Sequence, residues 1–441
     1  MGFKLPSVNS IHGYRGYQRL TFSTLCKLQV LHVEASNILL GVVGKTNVGK
    51  STFFSAATEI DVPIENRPFV TIDPNIGVAY VRKKCPHVEL GLPGCNASNS
   101  ICRLGWRFIP VKIVDVAGLV PGAHQGRGLG NRFLDHVRRA DALLLVVDAS
   151  GSTDEEGRPV KPGTYDPVNE VKQMVFEIEE WMFNIVLRDW DRLARFIDTS
   201  GALDVAGALA QRLSGLSINK NHVARALELT GLESKKLTSW TREDLRQFVS
   251  ELRRVSKPIV IVANKADIPV AEDNIKRLKE EFKGVPVVPT SSLAELILRK
   301  ASAKGLIEYI PGDGSFKVVG NLPSDMAKVL GRVEELVLKK WGSTGVQEAL
   351  NEAVFNLLDS IVVYPVEDPV KLIDKQGRVL PDALIVPRGS TARDVAYRIH
   401  SELGETFLYA INARTKQRVG ESYKVNDGDI IKIVATAARR V

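Results

Sequence analysis

Residues 44–51 read Gly-Lys-Thr-Asn-Val-Gly-Lys-Ser, and this octapeptide constrains the fold more than any other stretch of the chain. It matches G-x-x-x-x-G-K-[ST]. It lies between a short apolar run, Ile38–Val43, and a helix-like stretch, Lys50–Thr58. Strand, glycine loop and helix in that order open a nucleotide-binding α/β domain. Gly44 and Gly49 let the backbone turn its N–H groups onto phosphates. The predicted cradle runs through Gly44, Lys45, Thr46, Asn47, Val48, Gly49, Lys50, Ser51 and Thr52. Lys50 places a positive charge by the β- and γ-phosphates, Ser51 supplies a hydroxyl for Mg²⁺, and the helix N-terminus adds its partial positive charge.

Further strands are predicted at Ile76–Val81, Phe108–Val114, Leu143–Asp148, Ile259–Ala263 and Val285–Pro289. Helical patterns lie between the later ones, so the reading is a mainly parallel sheet with helices on both faces. The remaining motifs sit at the ends of these strands. Asp115-Val-Ala-Gly118 follows one of them; Asp115 would hold Mg²⁺ through a water, and the Gly118 N–H would sense the γ-phosphate. Asn264-Lys265-Ala266-Asp267 follows another. A carboxylate at Asp267 can accept from the N1–H and N2–H₂ edge of guanine, a donor pair adenine lacks. The Lys265 stem can cover the base face, and Asn264 would tie the loop to the phosphate loop. Thr290-Ser291-Ser292-Leu293 comes after the next strand, where backbone N–H groups can meet guanine O6. Between the first two motifs, Thr71 sits where a mobile loop could close Mg²⁺ coordination only when a γ-phosphate is present.

Around this core the chain divides. The predicted nucleotide domain spans 37–150 and 256–305. A helical insertion, 151–255, interrupts it. Val171, Met174, Val175, Ile178, Trp181, Met182 and Ile185 recur there at helical spacing, a stripe read as core packing. A helical link occupies 306–359. Residues 360–441 alternate strand candidates with one helix, Thr391–Glu402, opened by a Thr391/Asp394 capping box, which suggests a ubiquitin-like (β-grasp) module. Residues 1–36 mix basic, aromatic and apolar residues without period and lack a signal-peptide core. They read as either a flexible basic arm or an over-long start.

Composition bears on partners and compartment. A net charge of +8 favours an acidic partner, nucleic acid first. In the last module Arg414, Lys416 and Arg418 alternate; in an extended segment they would share one face and suit a phosphate backbone. Four cysteines in 441 residues argue against a secreted disulfide framework and for the cytosol. No apolar run has the length to span a bilayer. Cys85, His87, Cys95 and Cys102 could offer three thiolates and an imidazole to zinc. Their spacing is not that of a standard finger, so buried thiols or a redox pair are favoured over zinc.

The run Asp115-Val-Ala-Gly-Leu-Val-Pro-Gly-Ala-His-Gln-Gly-Arg-Gly-Leu-Gly-Asn-Arg-Phe-Leu134 resembles the Obg family of P-loop GTPases. The helical insertion and the last module resemble its YchF-type branch, whose β-grasp module is called TGS. The resemblance implies a Ras-like core, GTP hydrolysis with Mg²⁺, and ribosomes or their RNA as partners. In that core Leu119 replaces the water-orienting glutamine; the oligomeric state is left open, with a monomer favoured. His124 would then be the water-orienting residue and Asn47 a potassium ligand. Several relatives in the branch prefer ATP, but the intact Asp267 favours GTP here. Thr46, Arg67 and Ser292 depart from the usual residues of the pattern.

Overall fold

The computed structural model describes residues 36–58, 76–116, 136–200 and 204–436. The expectations placed on Thr71, Gly118, Leu119 and His124, and on the extension before Ser36, lie outside these residues.

The apolar runs form strands β1 (Leu39–Val43), β2 (Ile76–Lys84), β3 (Ile101–Arg103), β4 (Trp106–Asp115), β5 (Ala142–Asp148), β6 (Ile259–Asn264) and β7 (Val287–Pro289). They make one sheet in the order β2-β4-β1-β5-β6-β7, with β3 paired to the start of β4. Strands β4, β1, β5, β6 and β7 run parallel. The margin differs from the sequence reading: β2 and β3 are antiparallel to β4, and β3 was not foreseen.

Every residue of β5 and β6 is buried, as a parallel sheet covered on both faces requires. Alternate side chains take opposite sides. Leu143, Leu145 and Val147 join the core under the insertion helices, whereas Ala142, Leu144 and Val146 pack with Phe53 and Ala56 of α1 (Lys50–Thr58).

Between β5 and β6 lie the helices Pro167–Leu187, Trp190–Ser200, Val205–Leu213, Lys220–Thr230 and Arg242–Ser256. In the first of these Val171, Met174, Ile178, Trp181 and Met182 are buried, and Val175 and Ile185 pack against them half-buried. The periodic stripe is therefore core. After α1's partner helix Ser292–Ala303 comes a hairpin, β8 (Ile307–Tyr309) and β9 (Phe316–Val318), absent from the sequence reading. Helical segments then run from Ser324 to Trp341 and from Val346 to Leu357, with π-type turns at Glu334–Leu338 and Glu352–Leu357.

The last module is a five-stranded sheet of β10 (Ser360–Pro365), β11 (Leu384–Pro387), β12 (Phe407–Asn412), β13 (Gln417–Val419) and β14 (Ile430–Ala435), ordered β11-β10-β14-β12-β13. β10 and β14 are parallel and their other neighbours antiparallel, the β-grasp arrangement. The helix Ala392–Ile399 begins with the predicted box: Thr391 Oγ1 accepts from Asp394 N–H, and the Asp394 carboxylate accepts from Thr391 N–H. β10 is buried on both faces. Ile361 and Val363 point into the module's own core, while Val362 and Tyr364 join the core shared with the nucleotide domain and the link.

Candidate nucleotide site

The glycine loop leaves β1 and enters α1 through backbone angles that favour glycine. Gly44 has φ +153° and Gly49 φ +97°. A β-carbon at Gly44 would meet Val146 O at 2.3 Å, and one at Gly49 would meet Asn264 Nδ2 at 2.3 Å. Either contact is far inside van der Waals distance, so both positions exclude side chains. Asn47 takes φ +61° between them.

Ser51 and Asp115, predicted as Mg²⁺ partners, converge from α1 and the end of β4. Ser51 Oγ donates to Asp115 Oδ2 at 3.0 Å. Burial pushes the Asp115 carboxyl up, offset in part by the Ser51 hydrogen bond and the Lys50 charge. A hydroxyl and a partly desolvated carboxylate are the hard oxygen donors Mg²⁺ takes, so the donor set fits the ion. Lys50 Nζ donates to Lys45 O at 2.6 Å, which holds the ammonium inside the loop. Its pKa is lowered by burial, against the raising influence of Asp115 and Glu170.

Asn264 is where the phosphate and base motifs meet. Its Nδ2 donates to Val48 O at 2.8 Å, the tie expected from the sequence. Its Oδ1 accepts from Ser292 N–H at 3.1 Å and from Ser292 Oγ at 2.9 Å. Asp267 accepts from Ser291 Oγ at 2.8 Å, which orients the carboxylate. Lys265 Nζ donates to Asp148 Oδ2 at 2.7 Å and to Ser152 Oγ at 3.1 Å. The tethered head fixes the apolar stem that would lie along a base.

One expectation needs correction. The loop Thr290–Leu293 was read as offering its backbone N–H groups to guanine O6. Thr290 N–H donates to Ala263 O, Ser291 N–H to Thr344 O and Ser292 N–H to Asn264. These donors are engaged in holding the loop. The Leu293 N–H lies in the first turn of helix Ser292–Ala303, where donors are left over for a ligand.

Sequence reasoning missed a second feature. The stretch after β5 folds onto the outer side of the glycine loop. Lys45 Nζ donates to Thr153 O at 3.0 Å and Asp154 O at 2.8 Å, Thr46 Oγ1 to Glu156 O at 3.2 Å, and Asn47 Nδ2 to Gly157 O at 2.8 Å. The Asn47 amide thus spends its nitrogen here, while a potassium ion would take its oxygen. Lys45 also forms an ion pair with Glu170 at 2.9 Å and stacks over the Tyr165 ring. Asp148, fully buried, organises this stretch by accepting from Ser150, Ser152 and Thr153 besides Lys265. The lysine and serine bonds outweigh burial and hold its carboxyl below the usual range. An acid at the end of a strand followed by Ser150, Ser152 and Thr153 was the available signal.

The cationic row of the last module is also revised. Residues 413–416 form a turn, with Lys416 at φ +59°, so Arg414 and Lys416 do not share an extended face with Arg418. Arg414 pairs with Glu89 at 3.0 Å and donates to Gly428 O, and Arg418 lies over the Tyr409 ring. The period-two pattern fails because a hairpin turn interrupts it. Cys85, His87, Cys95 and Cys102, by contrast, are brought together: one ligand atom from each lies within 4.8 Å of all the others.

A glycine loop, a Ser/Asp pair fit for Mg²⁺ and a carboxylate-bearing base loop on one parallel sheet define a P-loop nucleotide-binding hydrolase with a Ras-like core. Comparison with known proteins is narrower. Residues 39–188 match the family described as 50S ribosome-binding GTPase, 262–368 the Obg-like GTPase YGR210-like, G4 motif-containing domain, and 376–435 the TGS domain. A GTP-binding protein of Methanocaldococcus jannaschii is 50% identical over 90% of this chain and 99% of its own length. A protein of Bacillus subtilis named ribosome-binding ATPase YchF is 26% identical over 89% of this chain and 97% of its own. The crystal structure of a GTP-binding protein from Pyrococcus horikoshii OT3 superposes with a TM-score of 0.73 at 43% identity, covering 90% of this chain and 100% of that one. The chain belongs to the Obg-like family of GTP-binding proteins, in the YchF-type branch that carries a C-terminal TGS domain.

Proposed function

We propose that the chain is a GTP-selective, Mg²⁺-dependent switch that hydrolyses GTP and acts on the ribosome or its RNA. The observation that carries the selectivity is the intact base loop, with the Asp267 carboxylate oriented by Ser291 and the loop joined to the glycine loop through Asn264 and Val48 O. A carboxylate there accepts the paired donors of guanine and meets no such pair on adenine. Lys50 and the cradle residues 44–52 would hold the phosphates, and Ser51 and Asp115 the ion. Thr71 and Gly118 are proposed to report the γ-phosphate, His124 to orient the attacking water, and Asn47 to hold potassium.

The domain limits proposed for this machine are 37–150 with 256–305 for nucleotide, 151–255 for the insertion, 306–359 for the link and 360–441 for the TGS module. The ribosomal reading rests on the names borne by the matched family and by the Bacillus subtilis relative, and on the net charge of +8. Among the described residues no helix is long and apolar enough to cross a membrane.

A second reading is an ATPase of the same branch, favoured by the name of the Bacillus subtilis relative. Competition of GTP and ATP against fluorescent GDP, with Mg²⁺, separates the two. A preference for GTP of about 100-fold or more, near 2.7 kcal/mol, supports the guanine reading. Equal competition supports the ATPase. Faster turnover in KCl than in NaCl supports Asn47. Unchanged turnover in His124→Ala removes that histidine from the mechanism. Co-sedimentation with ribosomes that weakens with salt supports the partner; its absence at low salt argues against it.

A further inference from the structure

The segment from Cys85 to Gly105 links β2 to β4 on the side of the sheet away from the nucleotide. Cys85 caps the single helical turn Pro86–Glu89, which carries His87. Cys102 lies on β3, directly across from Arg107 of β4. Cys85 N–H donates to Gly105 O in the β3–β4 turn, so the two strand ends are clamped side by side. Cys95 arrives from the irregular stretch between them.

Two of the spacings among the four ligand atoms match a tetrahedral metal, and all four atoms lie within 4.8 Å of one another. Cys85 Sγ and Cys95 Sγ are 3.7 Å apart, and Cys102 Sγ and His87 Nδ1 are 3.7 Å apart. Ligands at about 2.3 Å for sulfur and about 2.0–2.1 Å for nitrogen, set at tetrahedral angles, stand about 3.8 Å apart for two sulfurs and about 3.6 Å for sulfur and nitrogen. A disulfide would instead need about 2.05 Å. The set has no carboxylate; soft thiolates with one imidazole select zinc over the hard cations.

We propose that Cys85, His87, Cys95 and Cys102 bind one structural zinc ion, closed to water by four protein ligands. Coordination displaces the three thiol protons, and the resulting centre carries one net negative charge. The Arg107 guanidinium is fully buried beside it and acts on Cys85 and Cys95 with its positive charge. The earlier preference for buried thiols rested on finger spacing, which does not apply to a site closed by a helical turn and a β-hairpin.

The centre gives the irregular stretch a tether. Residues 90–100 contain no helix or strand, yet they meet the TGS module at fixed points. Asn96 N–H donates to Val379 O at 2.8 Å, Ser98 N–H to Pro381 O at 2.7 Å, and the Asn99 amide exchanges two bonds with Ala383. Arg107 reaches the carbonyl oxygen of Leu380. A metal pinning Cys95 to both strand ends fixes this loop, and the loop seats the TGS module on the nucleotide domain.

The test is elemental analysis of the untagged full chain purified under reducing conditions without chelator, followed by exchange with Co²⁺. We expect about one zinc per chain and, with cobalt, intense thiolate charge-transfer absorption with tetrahedral ligand-field bands. Cys102→Ser should lower zinc content at least about tenfold while GDP binding persists. Three results overturn the proposal: zinc below about 0.1 per chain that added Zn²⁺ does not raise, a cobalt spectrum without thiolate bands, or a Cys85–Cys95 disulfide found by mass spectrometry under those reducing conditions. The cobalt spectrum needs no variant, so a Cys102→Ser chain that fails to fold leaves the question decided by the unmodified protein.

Discussion

The phosphate end and the base end of the site are each held by elements outside the central sheet, but by different chemistry. At the phosphate end, buried Lys45 reaches out of the glycine loop to two carbonyl oxygens and to Glu170 on the first insertion helix. Burial pushes the Glu170 carboxyl up to about 7, against the opposing pull of Lys45. At the base end the support is a closed network. Glu295, fully buried, accepts from Arg299 at 2.5 Å, Tyr309 Oη at 2.7 Å and Thr344 Oγ1 at 2.5 Å. Thr344 O in turn takes the Ser291 N–H, and Trp341 Nε1 donates to Ala266 O at 3.1 Å inside the base motif. One end rests on an acid whose carboxyl burial pushes up, the other on a buried acid that accepts three hydrogen bonds.

The sharpest way to break the comparison is at Glu295. Glu295→Ala removes the common acceptor of three buried donors and should destabilise the chain by about 3–5 kcal/mol in denaturant unfolding. A loss below about 1 kcal/mol would mean that the base end is not held as described.

Next comes pH dependence. An acid whose pKa rises on folding binds its proton more tightly in the folded chain. The contribution of Glu170 to stability is therefore fully present below pH about 4.5 and is lost as pH rises through about 7. Glu170→Gln should remove that slope, with a difference of about 3 kcal/mol between the two proteins across the window. Parallel stability curves would show that Glu170 is not titrating in this range.

The smallest effect is expected at Trp341. Trp341→Phe keeps an aromatic ring in place and loses the bond to Ala266 O, for about 1 kcal/mol in guanine-nucleotide affinity with phosphate-end behaviour unchanged. An equal change in both would merge the two ends into one unit.

The parts of this site legible in the sequence are those where chemistry acts through neighbours in the chain. Gly44, Gly49, Lys50 and Ser51 lie within eight residues on one loop and the start of its helix, so their spacing is the signal. Asp115 and Asp267 were legible because the first ends a strand of the parallel part of the sheet and the second lies in the loop directly after one, where ligands gather. The fold followed from the same periodicities, and the Thr391 box was read from a four-residue pattern. What was hidden depends on contacts across the fold. The Lys45–Glu170 pair joins positions 125 residues apart (170 − 45), and nothing local in either marks it. β3 is antiparallel to β4 because of a tight hairpin at Leu104-Gly105, and β2 because the chain doubles back to β4 through residues 85–105, a stretch read only for its cysteines. Arg414, Lys416 and Arg418 misled because alternation signals a shared face only while the backbone stays extended.

The central claim is that Asp267 reads the guanine edge. The most direct test is binding of GTP and xanthosine triphosphate to the wild-type chain and to Asp267→Asn, with Mg²⁺. Xanthine carries a carbonyl where guanine carries its amino group, so an amide donor suits it and a carboxylate does not. The account predicts that the substitution shifts the preference towards xanthosine triphosphate by about 100-fold, near 2.7 kcal/mol. An unchanged ratio in a variant that still binds nucleotide would contradict it and place the base contact elsewhere.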